Sequence, residues 1–272
     1  LFQLVGAVIW VGMLAAQGVL ITSLESAQTM ILEHLDELFV GNSSGQLLVL
    51  GAGTWMIAKA GSGNALRSEL RLGAPDSPVY YGLAVAAIVV VQPLVMLLGW
   101  LNLQIPFPQS YLESDRVQAE LLEQFLRGDH FIPLTLFHVA LIPAFCEEFL
   151  MRGFALRYFE RSAGIVWAIV ISSLIFGAFH IRFTQVLPLA ALGMILAYVT
   201  YKSGSIYPAV LGHLLNNGAN VILARVAPDF VFEEFTPEAM PPVWLIALSL
   251  VLSGAVVYLI HKNQRNHVLP TE

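Results

Sequence analysis

Apolar residues in this chain come in long unbroken blocks of roughly 17–23 positions, separated by shorter polar stretches. Eight such blocks predict helices at 4–24, 46–58, 79–101, 131–151, 164–179, 185–201, 206–224 and 243–260. The alternation of about ten residues that marks the strands of a barrel is absent. The fourth block has no breaker beyond it and is expected to stay helical to about residue 161. Two connecting segments show helical spacing of apolar residues among acids. Leu32, Leu35 and Leu38 lie in 25–39, and Leu121, Leu122 and Phe125 in 111–126. Both are expected to be helices lying in the membrane interface.

Composition places these helices in hydrocarbon. The chain is 57% hydrophobic and 12% charged, against about 25% charged in a soluble domain. The expected fold is an all-α integral membrane protein, a bundle of about eight transmembrane helices around a polar cavity. One integrated membrane domain is expected: a three-span region at 1–130, a core at 131–224, and a last helix with a tail at 225–272. Lys and Arg counts in the connections orient it. With the N-terminus inside, Lys59, Arg67, Arg71, Arg152, Arg157, Arg161, Lys202, Lys262 and Arg265 face the cytoplasm. Arg116, Arg127, Arg182 and Arg225 face out, so nine stand against four. The expected location is a bacterial or archaeal cell membrane, crossed several times, with both termini cytoplasmic. The single cysteine, Cys146, excludes an internal disulfide and a multi-cysteine metal site.

A few polar residues interrupt the apolar blocks. Glu147 and Glu148 adjoin in the fourth, and an ionisable group inside a span costs at least ~2.5–3.5 kcal/mol, which marks function or a paired partner. A hairpin of the fourth and fifth helices should turn near Ser162-Ala163-Gly164, and residues 147 and 180 are equidistant from that turn. Each lies about 25 Å from it at 1.5 Å per residue, so Glu147 can face His180. Glu148 and Arg152 stand i, i+4 in the favourable order for an ion pair. The doublet thus divides into a braced glutamate and a free one. His213 and Asn217, also i, i+4, share a face and could aim two donors at one point. Phe176 lies one turn before His180 and could pack under it.

These groups are the parts of a hydrolase that activates water: a carboxylate base, a histidine that helps hold the water, and two donors for an oxyanion. On the predicted boundaries His180 falls near the outer end of its helix. His213 falls about 10 Å from the inner end of its own. They meet only if the charged 152–161 hairpin end protrudes past the bilayer.

Glu147-Glu148-x-x-x-Arg152, Phe176-x-x-x-His180 and His213-x-x-x-Asn217 resemble, in order, the three motifs of intramembrane glutamate proteases. These form the CAAX prenyl endopeptidase and bacteriocin-processing family. The resemblance covers about a third of the chain, from residue 131 to about 224. It implies Glu147 as general base, His180 as its partner on the water, and His213 with Asn217 as the oxyanion site. Glu148, Arg152 and Phe176 would support them. It also implies a membrane-associated protein or peptide as substrate. No cofactor, no metal and no nucleic-acid partner are expected.

Other readings weigh against this one. A non-catalytic immunity or scaffold protein could keep the same polar core. A transporter would need inverted repeats and broken helices, of which Pro143 is the one hint. A zinc protease could use Glu and two His, but His-Glu-x-x-His is absent. Cys146 reads as a small core residue and His138 as a hydrogen-bonded packing residue.

Overall fold

The computed structural model describes residues 1–19, 30–31, 33–128, 131–229, 231 and 240–263. Over these it is helical, with no strand. In chain order α1 is Phe2–Ala16, α2 runs over 35–62, α3 is Val79–Leu103 and α4 is Gln109–Arg127. Then come α5, Ile132–Ala163, α6, Ile165–Phe179, α7, Val186–Ser203, α8, Tyr207–Val226, and α9, Val243–Lys262.

Four stretches are long and apolar enough to cross a bilayer: α3, α5, Phe183–Ser203 (α7 with the turn before it) and α9. In α9 only 11% of the most apolar window is buried within the protein, and Trp244, Leu250 and Val251 are exposed. Such a surface is stable against lipid and not against water. This is a membrane protein.

Several expected boundaries shift. The first helix, expected at 4–24, stops at Ala16, where the chain turns through Gly18 with φ +81°; residues 20–29 lie outside the described residues. At about 22 Å, α1 is shorter than a hydrocarbon core of about 30 Å. The short helix expected at 46–58 is the middle of α2. Its glycines do not break it, because Gln46–Gly53 absorbs them as wider i→i+5 turns. The interfacial helix expected at 25–39 is therefore not separate at its end, since Leu35–Phe39 opens α2. Residues 25–29 and Leu32 lie outside the described residues. The extension of the fourth helix holds, α5 running to Ala163.

The turn between α5 and α6 is where expected. Gly164 adopts φ +77°, a left-handed conformation that glycine enters at no steric cost. Antiparallel α6 and α7 approach closely at Gly193, where an added Cβ would stand 3.1 Å from Ser173 Cβ. Helix α3 is the hub. Its Tyr80, Leu83, Ala84 and Ala87 pack on Val199 of α7 and on Val256 and Ile260 of α9. One turn on, Ile88 and Val91 meet Leu192, Leu196 and Ala209. The apolar side of α4, Phe125 and Leu126, covers Leu35 of α2 and Val221 and Ala224 of α8.

The two ends of the bundle are tied separately. At one end Arg71 Nη2 donates to Glu160 Oε2 at 2.6 Å and Arg161 Nη2 to Glu69 Oε1 at 2.6 Å, while Ile206 N donates to Arg71 O at 3.1 Å. At the other, Arg182 Nε donates to Asp115 Oδ1 at 2.8 Å and Asn102 Nδ2 to Phe183 O at 2.9 Å. These ties explain the depth of the polar residues. Gly153 packs on Leu70, whose neighbour Arg71 holds the start of α8. Residues 154–163 thus extend about 15 Å past that level. Measured from it, Glu147 lies six residues in and His213 seven, so they share a depth.

Candidate active site

Glu147 and Glu148 sit at the end of the regular segment Ile142–Glu148, between two stretches of wider turns, Phe137–Leu141 and Phe149–Ala155. Wide turns inside an α-helix are frequent at functional sites. Both carboxylates are buried, Glu147 at 6% exposure and Glu148 at 0%, and they point to different neighbours.

Glu147 faces His180. His180 Nε2 lies 3.7 Å from Glu147 Oε2, too long for a direct hydrogen bond. His180 Nδ1 lies 2.8 Å from the Phe176 carbonyl. A carbonyl only accepts, so Nδ1 carries the proton and Nε2 of the neutral ring is a bare acceptor. Glu147 Oε2 is itself buried with no donor among the described residues. Two acceptors 3.7 Å apart, one of them unsatisfied, suit a molecule with two protons to give.

Glu148 faces a different set of partners, in a buried knot. His213 Nδ1 lies 2.9 Å from Glu148 Oε1, and Arg152 Nη1 lies 3.0 Å from the same oxygen. The Arg152 contact is an ion pair whose angle makes no hydrogen bond; the directed bond of this guanidinium runs from Nη2 to Gly193 O at 3.2 Å. Its plane lies 4.4 Å over the Phe176 ring, a cation–π contact. Phe176 also meets His180 and His213 edge-on, at 5.0 and 5.8 Å between centroids. It thus packs against both histidines.

His213 Nδ1 abuts a carboxylate, so it carries the ring proton and the neutral ring leaves Nε2 as an acceptor. Asn217 Nδ2 approaches that atom at 3.3 Å and also donates to Val139 O at 3.2 Å. Its Oδ1 accepts from Asn216 Nδ2 at 3.2 Å, and Asn216 Oδ1 accepts from Gln92 Nε2 at 3.1 Å. His180, His213, Asn216 and Asn217, with Phe176 and Ile88, line a pocket of about 50 Å³, room for a few water-sized groups.

All seven residues singled out in the three motifs thus lie in one cluster, five of them buried and His180 and Asn217 partly exposed. Three positions carry no motif and were not anticipated in these roles. Tyr111 of α4 clamps the turn after His180, its hydroxyl donating to Ile181 O at 2.8 Å and accepting from Phe183 N at 2.6 Å. The clamped Ile181 has φ +59°, an outlier for a β-branched residue that its surroundings must hold in place. Gln92 and Gly193 reach the site only through tertiary packing. His138 lies apart, its Nδ1 2.9 Å from Ser43 Oγ, and Cys146 is buried among Phe2, Leu50 and Ile142. Among the described residues no three His, Cys, Asp or Glu converge as a metal-binding set.

Residues 129–219 match the family model described as Type II CAAX prenyl endopeptidase Rce1-like. That segment contains all seven motif residues, and the match supports the CAAX prenyl endopeptidase and bacteriocin-processing family, a protease family, for this region. No curated protein and no solved structure matches the chain.

Proposed function

Starting from a protease-family region at 129–219, we propose that this protein is an intramembrane glutamate endopeptidase. It would hydrolyse a peptide bond of a membrane-associated protein or peptide, in a bundle of about eight membrane helices around the polar site. The observation that carries the mechanism is the pair of acceptors, Glu147 Oε2 and His180 Nε2, 3.7 Å apart. A water donating to both is held and polarised. Glu147 takes its proton, and the oxygen attacks the carbonyl carbon of the peptide bond. The carbonyl π electrons move to oxygen. As the tetrahedral intermediate collapses, the C–N bond breaks and the proton on Glu147 passes to the leaving nitrogen.

The oxyanion falls to His213 and Asn217. For Nε2 to donate, the neutral His213 ring must first take up a second proton from solvent, with the Glu148 carboxylate at 2.9 Å as its counter-ion. A protonated Nε2 no longer accepts from Asn217, which releases one amide N–H toward the same pocket. Two donors then converge, the arrangement that stabilises such an anion. Arg152 keeps Glu148 in place, and Phe176 holds both rings.

The reading puts both termini in the cytoplasm. Arg67, Arg71, Arg157 and Arg161 gather at the α5–α6 end, with Arg116 and Arg182 toward the other, in keeping with the distribution of positive charge across a membrane. The test is a comparison of protein N- and C-termini in the membrane fraction of wild-type cells and of cells carrying Glu147→Ala. New termini present only with the wild-type protein are expected; identical sets of termini in the two would contradict the reading.

A further inference from the structure

A second pocket opens beside the site, between α3 and α8, with a volume of about 380 Å³. It shares Ile88 and Asn216 with the small pocket that holds His180 and His213, so the two adjoin. Val89, Met96, Leu215 and Leu223 give it apolar walls, and Gln92, Asn216 and Asn220 add neutral amides. We propose that this groove binds an extended apolar segment of the polypeptide substrate next to the scissile bond, with Gln92 and Asn216 meeting its backbone. The inference rests on the protease reading above.

Three features favour a peptide over a hydrocarbon chain. Gln92 Nε2 donates to Ile88 O at 2.8 Å and to Asn216 Oδ1 at 3.1 Å, while its Oε1 accepts no hydrogen bond among the described residues. A hydrocarbon would bury that acceptor unpaired, at a cost; a backbone N–H would satisfy it. Next, Pro93 stands inside α3 and has no N–H to give to the Val89 carbonyl one turn back. A wall of the groove therefore offers a main-chain acceptor of the kind an extended strand uses. Finally, the groove between α8 and α5 is larger, about 730 Å³, and its lining residues, such as Leu136, Phe137, Leu214 and Ile222, carry no polar side chain. Hydrocarbon has a better place there.

Because Gln92 holds Asn216, and Asn216 holds the Asn217 carboxamide, filling the groove would also report to the oxyanion side of the site. Gln92 is in this sense a positioning residue.

The test profiles cleavage sites. Purified wild-type protein, Val89→Trp, Leu223→Trp, Gln92→Leu and Glu147→Gln are each incubated in detergent with tryptic peptides of total membrane protein. New ends are read by mass spectrometry. Val89 and Leu223 are exposed, so tryptophan there can be accommodated by the fold while narrowing the groove. Wild-type cleavage that disappears in Glu147→Gln is expected. The tryptophan variants should discriminate by about tenfold or more against large apolar side chains at one position flanking the cut, and still cleave where that residue is small. Gln92→Leu should lower kcat/KM several-fold without regard to side chain. Glu147-dependent cleavage with an unchanged profile in both tryptophan variants overturns the groove assignment and leaves the protease reading standing. An unchanged profile with loss of a co-purifying phospholipid, seen by native mass spectrometry, overturns it in favour of lipid. Absence of any Glu147-dependent cleavage overturns both.

Discussion

Glu148 of α5 and His213 of α8 meet in the protein interior, Oε1 to Nδ1 at 2.9 Å, and this contact links the first motif to the third. It gives the second glutamate of the doublet a definite task, as partner of both Arg152 and the histidine that faces the pocket. Glu147 makes neither contact, and its Oε2 is buried without a hydrogen-bond partner among the described residues.

The buried pairing predicts unequal costs within the doublet. Glu148→Ala strands Arg152 at 1% exposure without its counter-charge, and removing one partner of a buried pair costs about 3–5 kcal/mol. Glu147→Ala strands no cation and should cost far less. Thermal or denaturant unfolding of the two variants in detergent checks this. Equal stability of the two would show that the Arg152–Glu148 pair does not brace the core.

Tyr111 is predicted to matter although it touches no motif residue. Tyr111→Phe leaves Ile181 O and Phe183 N without their hydroxyl partner and frees the turn that aims His180. Misplacing a catalytic group by about 1 Å can cost up to roughly a hundredfold, so a fall in kcat of about tenfold is expected, with KM little changed. Steady-state kinetics of the variant decide it, and an unaltered kcat would mean that the turn is held by other contacts.

Topology has a simple assay, because Cys146 is the single cysteine and it is buried. In a Cys146→Ala background, Ser162→Cys marks the α5–α6 end and Ser114→Cys marks α4. A membrane-impermeant maleimide applied to intact cells should label Ser114→Cys and spare Ser162→Cys, with both labelled after lysis. Labelling of both positions in intact cells would refute the assigned orientation.

What the sequence made legible was geometry within one helix or one hairpin. The Glu148–Arg152 pair follows from a four-residue spacing, and the opposition of Glu147 and His180 follows from their equal distance to the turn at Gly164. The glycines of α2 misled, because they read as a short helix whereas wider turns carry them inside a long one. The partner of His213 was out of reach, since Glu148 lies 65 residues away on another helix and nothing in either motif encodes the rotation of α8 about its axis. The amide chain through Gln92 is hidden for the same reason, and so is the clamp by Tyr111. The approach of His180 and His213 became intelligible only when the ties at Arg71 and Ile206 showed how far the hairpin end protrudes.

The central claim is that Glu147 removes a proton from water. Its most direct test compares wild-type protein with Glu147→Gln on one peptide taken from the termini experiment, with unfolding midpoints measured on the same preparations. Glutamine keeps the size of the side chain and loses the base. General-base catalysis supplies about 10²–10⁴-fold, so kcat should fall by at least a hundredfold while the midpoint stays within a few degrees. Turnover retained within a few-fold in a folded Glu147→Gln protein would contradict the account.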